Sequence, residues 1–471
     1  MSALSLAGCA SFSGIAPTAV AIEQVSLPNA SSQTTVSGAW PEKTWWSVFN
    51  DPQLNRLIES ALANSPNLAT AQSRIARAQA SADLNRSASG VQSNATFNPT
   101  YGRLSENYQV PKPPIGKGGE FVSQGVATLG FNYDSDLWGK NAALIRSGNA
   151  LLNATIFDRD AAQLVLTTSI ARTYVQLAAQ YALQDVLDAT RTQRRSISAL
   201  AAKRVASGLD TRVELKQTES NEAALEVDSA QLATTIDVTR LQLTALTGAM
   251  PASAATITRP VMSSAAIGVP PSLPLDLLGR RPELAAQRAR IVAAIGDADA
   301  AKAQFYPNIN LAGLIGFQAI GLGQLLSPSS LLTSVGPAIS LPVFDSGRLR
   351  ANYAIKNADI DTAITQYNQS VVTAAQDVAE QVTRLAALGP EEKASKQATA
   401  AAQEAFRLAM LRYKGGLSPY LTVLTIETQL LSQRRIALDI GARRQDLQIG
   451  LVRALGGGFS DATLPMANNT R

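Results

Sequence analysis

Histidine is missing from the 471-residue chain, and cysteine occurs only once, at Cys9. Histidine is the commonest general base and metal ligand near neutral pH, while disulfides and thiolate metal sites need more than one cysteine. No segment of the sequence pairs a nucleophile with a base. We therefore expect no enzymatic activity, no metal and no other cofactor.

Aromatic residues are also scarce, at 5%, although 46% of the residues are hydrophobic. Alanine is abundant, which is typical of long helices that pack closely. The net charge is only +5, with basic residues interspersed among acidic ones, so no nucleic-acid partner is expected. The most hydrophobic run, residues 311–326, contains four glycines and two glutamines. It is shorter than the roughly 20 residues of a spanning helix, so no transmembrane helix is predicted.

The chain repeats its own landmarks in order, at spacings of 208 and 216 residues. The matched landmarks are Gly139 with Gly347, RVASGL at 204–209 with RYKGGL at 412–417, and PNLA at 66–69 with PELA at 282–285. Ordered matches with one change in length are typical of a tandem duplication. We therefore predict a first structural repeat over residues 40–271 and a second over 272–459, with a tail over 460–471.

The first 39 residues form an expected extended tether, rich in small polar residues. Leu6, Ala7, Gly8 and Cys9 match the lipobox at which bacterial lipoproteins are cleaved and acylated on cysteine, although the apolar segment before it is short. A chance match is the alternative. Folded structure is predicted to begin near Asp51, whose carboxylate can cap a helix that starts with Pro52.

Four segments show the alternation of apolar and polar residues that is typical of strands. A hairpin is predicted at about 91–138, around a proline-stiffened loop at 111–119, and a second pair of strands at about 307–344. Four strands cannot close a barrel, and open sheet edges are not tolerated in lipid. If the strands face lipid, other copies of the chain must complete the barrel. A soluble sheet is the alternative.

Each pair of strands is followed by two long helical segments joined by a glycine-containing turn. Residues 142–207 predict a helix of about 100 Å, which turns at Gly208 and returns over 210–247. The second repeat predicts a helix from 348 that breaks at Gly389–Pro390, continues to 414, turns at Gly416 and returns over 420–455. Leucines spaced by seven in the last helix indicate a coiled-coil seam, and ordinary bundle packing is the alternative. They are Leu424, Leu431 and Leu438.

Several long motifs, in order from Trp45 to Phe459, resemble the outer-membrane factor family. The motifs are WWSVFNDPQL at 45–54, LPLDLLGRRPEL at 273–284, FYPNI at 305–309, LPVFDSGRLRAN at 341–352, RYKGGLSPYLTVL at 412–424 and ALGGG at 454–458. The chain looks like a TolC-like channel of the lipoprotein branch that serves resistance-nodulation-division efflux pumps.

The resemblance implies a mainly α-helical protein with membrane β structure. Each internally duplicated protomer would give four strands to a trimeric, 12-stranded outer-membrane barrel and long coiled-coil helices to a periplasmic α-barrel. The homotrimer would sit in the outer membrane of a Gram-negative bacterium, held in lipid by acylated (palmitate-bearing) Cys9. It would passively conduct small molecules from an inner-membrane resistance-nodulation-division transporter, coupled through a periplasmic adaptor (membrane fusion) protein. Alternatives are a type I protein-secretion conduit, which shares the fold, and a lipid-anchored helical scaffold.

The resemblance also assigns roles to residues at the two helical turns and in the last helix. Gly208, Leu209, Gly416 and Leu417 match the tips that engage the adaptor, although glycine often simply ends a helix. Leu421 would form an apolar ring at the periplasmic gate, unless it is only coiled-coil core. Thr425 stands where the family usually has aspartate, so a carboxylate ring is lost unless Glu427 replaces it.

The remaining assignments concern the points where a strand meets a helix. Gly139 and Gly347 match the barrel-to-tunnel transition, where glycine would absorb the bend in the backbone. Trp138 would suit an aromatic girdle at the membrane interface. A purely structural role is the favoured interpretation for all three residues.

Overall fold

The computed structural model describes residues 11–24, 38–107, 115–263, 268, 278–342, 345 and 347–461. In chain order the main elements are α1 (Pro52–Asn64), α2 (Pro66–Ala88), β1 (Gln92–Arg103), β2 (Phe121–Asp134), α3 (Lys140–Ala206), α4 (Arg212–Leu246), α5 (Pro282–Ala303), β3 (Asn308–Ile320), β4 (Leu331–Ser340), α6 (Arg348–Lys414) and α7 (Tyr420–Ala454). Short 3₁₀ turns include Trp45–Phe49 and Pro251–Thr256. The order of helices, two strands and a long helical pair occurs twice, as the duplication predicts.

Helix α1 begins where the sequence predicts, with Asp51 as its N-cap and Pro52 as its first residue. One carboxylate oxygen of Asp51 accepts the backbone N–H of Gln53 at 2.8 Å, which satisfies a donor that the helix leaves free. The other oxygen accepts the Tyr174 hydroxyl and the Val261 N–H, each at 2.8 Å. Burial and the bond to Asp51 raise the pKa of Tyr174. The cap therefore also fixes α1 against α3.

The four strands form one antiparallel sheet in the order β1-β2-β3-β4. Leu129 of β2 lies opposite Ala95 of β1 and Ile315 of β3, and Ile309 of β3 lies opposite Ile339 of β4. Strands β1 and β4 each have only one strand neighbour within the described part of the chain. The sheet therefore ends in two edges whose outer backbone groups have no strand partner among the residues that the structure describes.

Helix α6 runs without interruption from Arg348 to Lys414, with Pro390 inside it, so the predicted break at Gly389–Pro390 is wrong. Proline removes one backbone bond, but packing on both sides holds the helix. Leu388 is buried with Ile440 and Leu447. One turn later, Glu392 forms an ion pair with Arg444 at 2.7 Å. Contacts with α7 thus outweigh the local preference of proline.

The described helices include none that combines the length and the hydropathy required to cross a membrane.

The chain divides into two compact units that do not coincide with the two repeats. The first unit comprises the described residues within Met1–Ala21, Arg74–Thr155 and Gln287–Tyr367, including the sheet. The second comprises the described residues within Ile22–Ser73, Ile156–Ala286 and Asn368–Arg471. Its core joins Trp45, Trp46 and Phe49 to buried residues of α1, α3 and α4, and to Ile449 and Val452 of α7. Both units draw on both repeats, so neither repeat makes a unit alone.

Residues 11–24 of the predicted tether have no helix or strand but are held in place. The ring of Phe12 packs edge-on against Phe305 and Tyr353, with centroids 5.6 and 6.2 Å apart. The backbone N–H groups of Thr18 and Ala19 donate to the carboxylate of Asp361 at 2.7 and 2.8 Å. This part of the tether is therefore bonded along α6. Part of the predicted loop at 111–119 lies outside the described residues.

Candidate functional site

The two helical turns, called here the tips, have the same backbone geometry at a spacing of 208 residues. Gly208 and Gly416 adopt φ angles of 69° and 72°, in the left-handed region that favours glycine. The N–H of Leu209 donates to the carbonyl of Arg204, and that of Leu417 to the carbonyl of Arg412, both at 2.8 Å. This bond is the Schellman closure of a helix C-terminus. The duplication is therefore preserved in the hydrogen bonds of both tips.

Each tip presents its leucine to the outside of the protomer. The exposed fractions are 65% for Leu209 and 73% for Leu417. A leucine whose only role was at the end of its helix would be more stable if its side chain packed against that helix. The exposure of both leucines therefore favours a surface that another molecule covers. The structure therefore puts both predicted contact residues where a partner could reach them.

A three-residue cluster, which the sequence did not reveal, holds the two tips side by side. The guanidinium of Arg204 binds the carboxylate of Asp210 at 2.8 and 3.0 Å and donates to the Tyr413 carbonyl at 3.2 Å. The Tyr413 hydroxyl donates to Asp210 at 2.8 Å, and Arg204 lies 4.8 Å above the tyrosine ring. We call these three residues the tip clasp.

The charges and hydrogen-bonding groups of the three clasp residues are complementary. Hydrogen bonding to Arg204 lowers the pKa of Asp210. Burial, together with the bond to Asp210, raises the pKa of Tyr413. The clasp therefore contains an ionised carboxylate, a guanidinium and a neutral phenol at neutral pH. The equivalent of Asp210 in the second repeat is Ser418, so only the first tip supplies the carboxylate. This difference between the copies was the one signal of the clasp in the sequence.

The predicted gate residues of α7 lie on different faces of the helix. Leu421 is 59% exposed, so it is not part of the core within the protomer. Thr425 is also exposed, and its hydroxyl donates to the Leu421 carbonyl at 3.0 Å. The buried positions of this segment are Tyr420, Val423, Glu427 and Leu430. Leu421 and Thr425 are thus available outside the protomer, but they bring no carboxylate with them.

Glu427 is 2% exposed and is used inside the protomer. Its carboxylate accepts Arg194 Nε at 3.1 Å and the Gln193 amide at 2.7 Å, both from α3. Arg194 also donates to the Asn221 carbonyl of α4 at 2.6 Å. The structure does not bring Glu427 to the face that carries Leu421, so its carboxylate is not placed to replace the missing aspartate. Together, Glu427 and Arg194 join α7, α3 and α4.

Both strand-to-helix junctions contain a glycine in the left-handed region, with φ angles of 71° at Gly139 and 83° at Gly347. Each following helix is capped by an aspartate that the sequence analysis did not single out. Asp136 accepts the N–H groups of Asn141 and Ala142, each at 2.8 Å. Asp345 accepts the N–H of Leu349 at 2.8 Å. The bend and the start of the helix are thus fixed together.

Trp138, half-exposed at the first junction, is tied to the start of β3. Its indole N–H donates to the Pro307 carbonyl at 2.7 Å. Its ring stacks on Tyr306, with centroids 4.7 Å apart and the planes 17° from parallel. An amphipathic ring that is anchored at its polar end and exposed on its face suits a membrane interface.

Cys9 lies outside the described residues. Among the residues that the structure does describe, no group of three or more histidine, cysteine, aspartate or glutamate side chains is arranged to hold a metal ion.

Comparisons with known proteins agree with this architecture. The model of the family described as outer membrane efflux protein matches the chain twice, over residues 57–249 and 273–457. The multidrug resistance outer membrane protein MdtP of Shigella flexneri is 32% identical, over 93% of this chain and 91% of that protein. The fusaric acid resistance protein FusA of Burkholderia cepacia is 35% identical, over 76% of this chain and 68% of that protein.

The fold is also found in solved structures. The outer membrane protein VceC of Vibrio cholerae superposes with a TM-score of 0.83 at 36% identity, covering 89% of this chain and all of VceC. The outer-membrane channel OprN has a TM-score of 0.84 at 23% identity, covering 94% of this chain and 99% of OprN, and shows the fold alone. These matches confirm the predicted fold class and the predicted function as an efflux channel of the outer membrane. The chain therefore belongs to the outer membrane efflux protein family.

Proposed function

We propose that three copies of this chain form one conduit that carries small organic molecules out of the cell. Its helical tips would contact a periplasmic adaptor protein, which connects to an inner-membrane resistance-nodulation-division transporter. Acylated Cys9 would hold each protomer in the outer membrane. The names of MdtP and FusA, which refer to multidrug and fusaric acid resistance, support small organic molecules as the cargo.

The observation that carries this proposal is the open sheet of four strands, whose two edges are unpaired within the described part of the chain. Large apolar side chains on it are exposed in the protomer, and they include Phe97, Tyr101, Leu129, Phe131, Leu311, Ile315, Val335 and Ile339. Contact between these apolar side chains and lipid is favourable, but in lipid every backbone N–H and C=O needs a hydrogen-bond partner within the protein. Pairing β1 of one copy with β4 of the next satisfies both requirements.

The tips support the proposed contact with the adaptor, and the last helix supports a proposed gate at the periplasmic end of the conduit. Leu209 and Leu417 offer two apolar contacts held at a fixed spacing by the tip clasp, as a docking site for another helical protein requires. Leu421 is exposed near the start of α7. In the trimer it would meet its two copies around the central axis and form an apolar constriction of the passage. Passage through such a conduit needs no chemical step.

Disulfide trapping tests the assembly. In a Cys9→Ser background, Ala95→Cys on β1 is combined with a cysteine at each of residues 332–338 of β4 in turn. We expect covalent trimers on non-reducing gels for the pairs that face each other, because cysteines join only when their Cα atoms are about 4.4–6.8 Å apart.

The control joins Leu129→Cys with Ile315→Cys, which lie opposite each other within one protomer. This pair should oxidise without any increase in mass. If the control pair oxidises while every β1–β4 pair remains monomeric, the proposed assembly is wrong.

A further inference from the structure

Four exposed basic side chains surround the two tips, and none has an ion-pair partner among the residues with described coordinates. They are Lys203, Arg212, Arg412 and Lys414, and we call them the tip patch. Most exposed basic residues elsewhere on the long helices have a carboxylate nearby, as Arg407 has Glu404 at 2.7 Å. The tip clasp brings the two turns together, so the four charges belong to one surface.

Acidic residues close to the tips offset only part of the positive charge of the patch. Asp210 is already bound by Arg204 in the tip clasp. Glu214 accepts the backbone N–H of Thr211 at 2.9 Å as part of a capping box. From residue 405 to 426 the chain has no acidic residue at all. The surface around Leu209 and Leu417 therefore has an excess of positive charge.

Helix stability explains only part of this excess. Lys203, Arg412 and Lys414 lie in the last turns of α3 and α6, where the helix dipole favours cations. Arg212 is the first residue of α4, where the same dipole disfavours a cation. Arg212 is thus exposed beside the tips, is disfavoured by its own helix and has no ion-pair partner in the described part of the chain, which points to a ligand outside the protomer.

We propose that the tip patch selects an acidic partner, namely a helical hairpin whose apolar turn is flanked by glutamate or aspartate. This inference rests on the proposed docking of an adaptor at the tips. Leu209 and Leu417 supply the apolar centre, and the four cations around them attract and orient the acidic flanks. A hairpin with basic flanks is repelled even if its turn fits.

The probes are three crosslinked helical hairpin peptides with the same leucine-containing turn and with glutamate, glutamine or lysine at the flanking positions. Binding to the full-length protein in detergent micelles is measured by biolayer interferometry at low and high salt. We expect the glutamate hairpin to bind on the order of tenfold more tightly than the lysine hairpin, because several exposed charge pairs add modest contributions. The preference should shrink at high salt, since such pairs are screened.

Two double variants of α6 form a matched pair, because each replaces two exposed basic residues with glutamate. Arg412→Glu with Lys414→Glu should weaken binding of the glutamate hairpin on the order of tenfold and improve binding of the lysine hairpin. Lys393→Glu with Lys396→Glu, also exposed on α6, should leave both affinities unchanged. Equal binding of the three hairpins, no binding of the glutamate hairpin, or equal effects of the two double variants would overturn the proposal.

A separate measurement tests the docking on which the inference rests. Leu209→Asp with Leu417→Asp should abolish pump-dependent resistance in cells while the oligomer stays intact. Normal resistance would refute docking at the tips. Lost resistance in that variant, together with a hairpin ranking that ignores charge, would refute only the acidic partner.

Discussion

Two groups of polar and charged side chains in the second compact unit join helices from different repeats. The tip clasp links Arg204 and Asp210 of the first repeat to Tyr413 of the second, and a deeper pair links Arg194 to Glu427. The deeper pair is almost fully buried, with side-chain exposures of 11% and 2%. A buried pair contributes little beyond two apolar residues of the same size, but removing one partner leaves an uncompensated charge.

Glu427→Ala is therefore expected to destabilise the protein by about 3–5 kcal/mol, since Arg194 remains buried without its carboxylate. Arg194→Met with Glu427→Leu should recover most of this loss. The measurement is the temperature at which half of the helical circular dichroism signal is lost. Glu404→Ala, which breaks the exposed pair with Arg407, is the control and should change stability by at most about 1 kcal/mol. Equal effects of Glu427→Ala and Glu404→Ala would contradict this account.

Sequence reasoning at this scale succeeded where the cause was local. Asp51 could be recognised as an N-cap because the N–H groups that it satisfies lie two and three residues away. The tip clasp could not be recognised in the same way, because Tyr413 and Asp210 are separated by 203 residues in the chain. Glu427 shows the same limit, since its role depends on a helix 233 residues earlier.

At the scale of elements, the strands and the long helices follow from periodicity and from the glycine turns. The boundaries at Gly208 and Gly416 were predictable because a left-handed turn needs glycine, and both copies have one. The predicted break at Gly389–Pro390 was wrong for the opposite reason. Local preference pointed to an end of the helix, whereas burial of Leu388 and the ion pairs with α7 maintain it.

Pro390→Ala should stabilise the protein by about 3 kcal/mol, because alanine restores the backbone bond that proline cannot make and removes its clash with the previous turn. The measurement is the same thermal midpoint. Gly389→Ala is the matched control, and its methyl group meets no atom within 4 Å, so a gain of about 1 kcal/mol is expected. A lower midpoint for Pro390→Ala would show that the chain needs a bend at this point.

At the scale of the whole molecule, the open sheet indicates that the protomer is not the functional unit. The count of four strands came from the sequence alone, but the closure of a conduit depends on copies of the chain. The residues that would face the passage are therefore those left exposed by the protomer fold, among them Leu421.

Leu421→Ala is expected to increase single-channel conductance in planar bilayers, because it shortens an apolar side chain at the proposed constriction. Thr425→Asp should make the conductance sensitive to multivalent cations, since it adds the carboxylate ring that this chain lacks. Leu411→Ala, an exposed leucine on α6, is the control and should leave conductance unchanged. Unaltered conductance in Leu421→Ala would place the constriction elsewhere.

The tip clasp has a consequence for how the two repeats can evolve. A chain made of two first repeats would lack the tyrosine, and a chain made of two second repeats would have a serine in place of Asp210. Each repeat now supplies a part that the other has lost. The duplicated halves have stopped being interchangeable, so recombination between them, or reduction to a single self-assembling half, would remove the contact that holds the tips together.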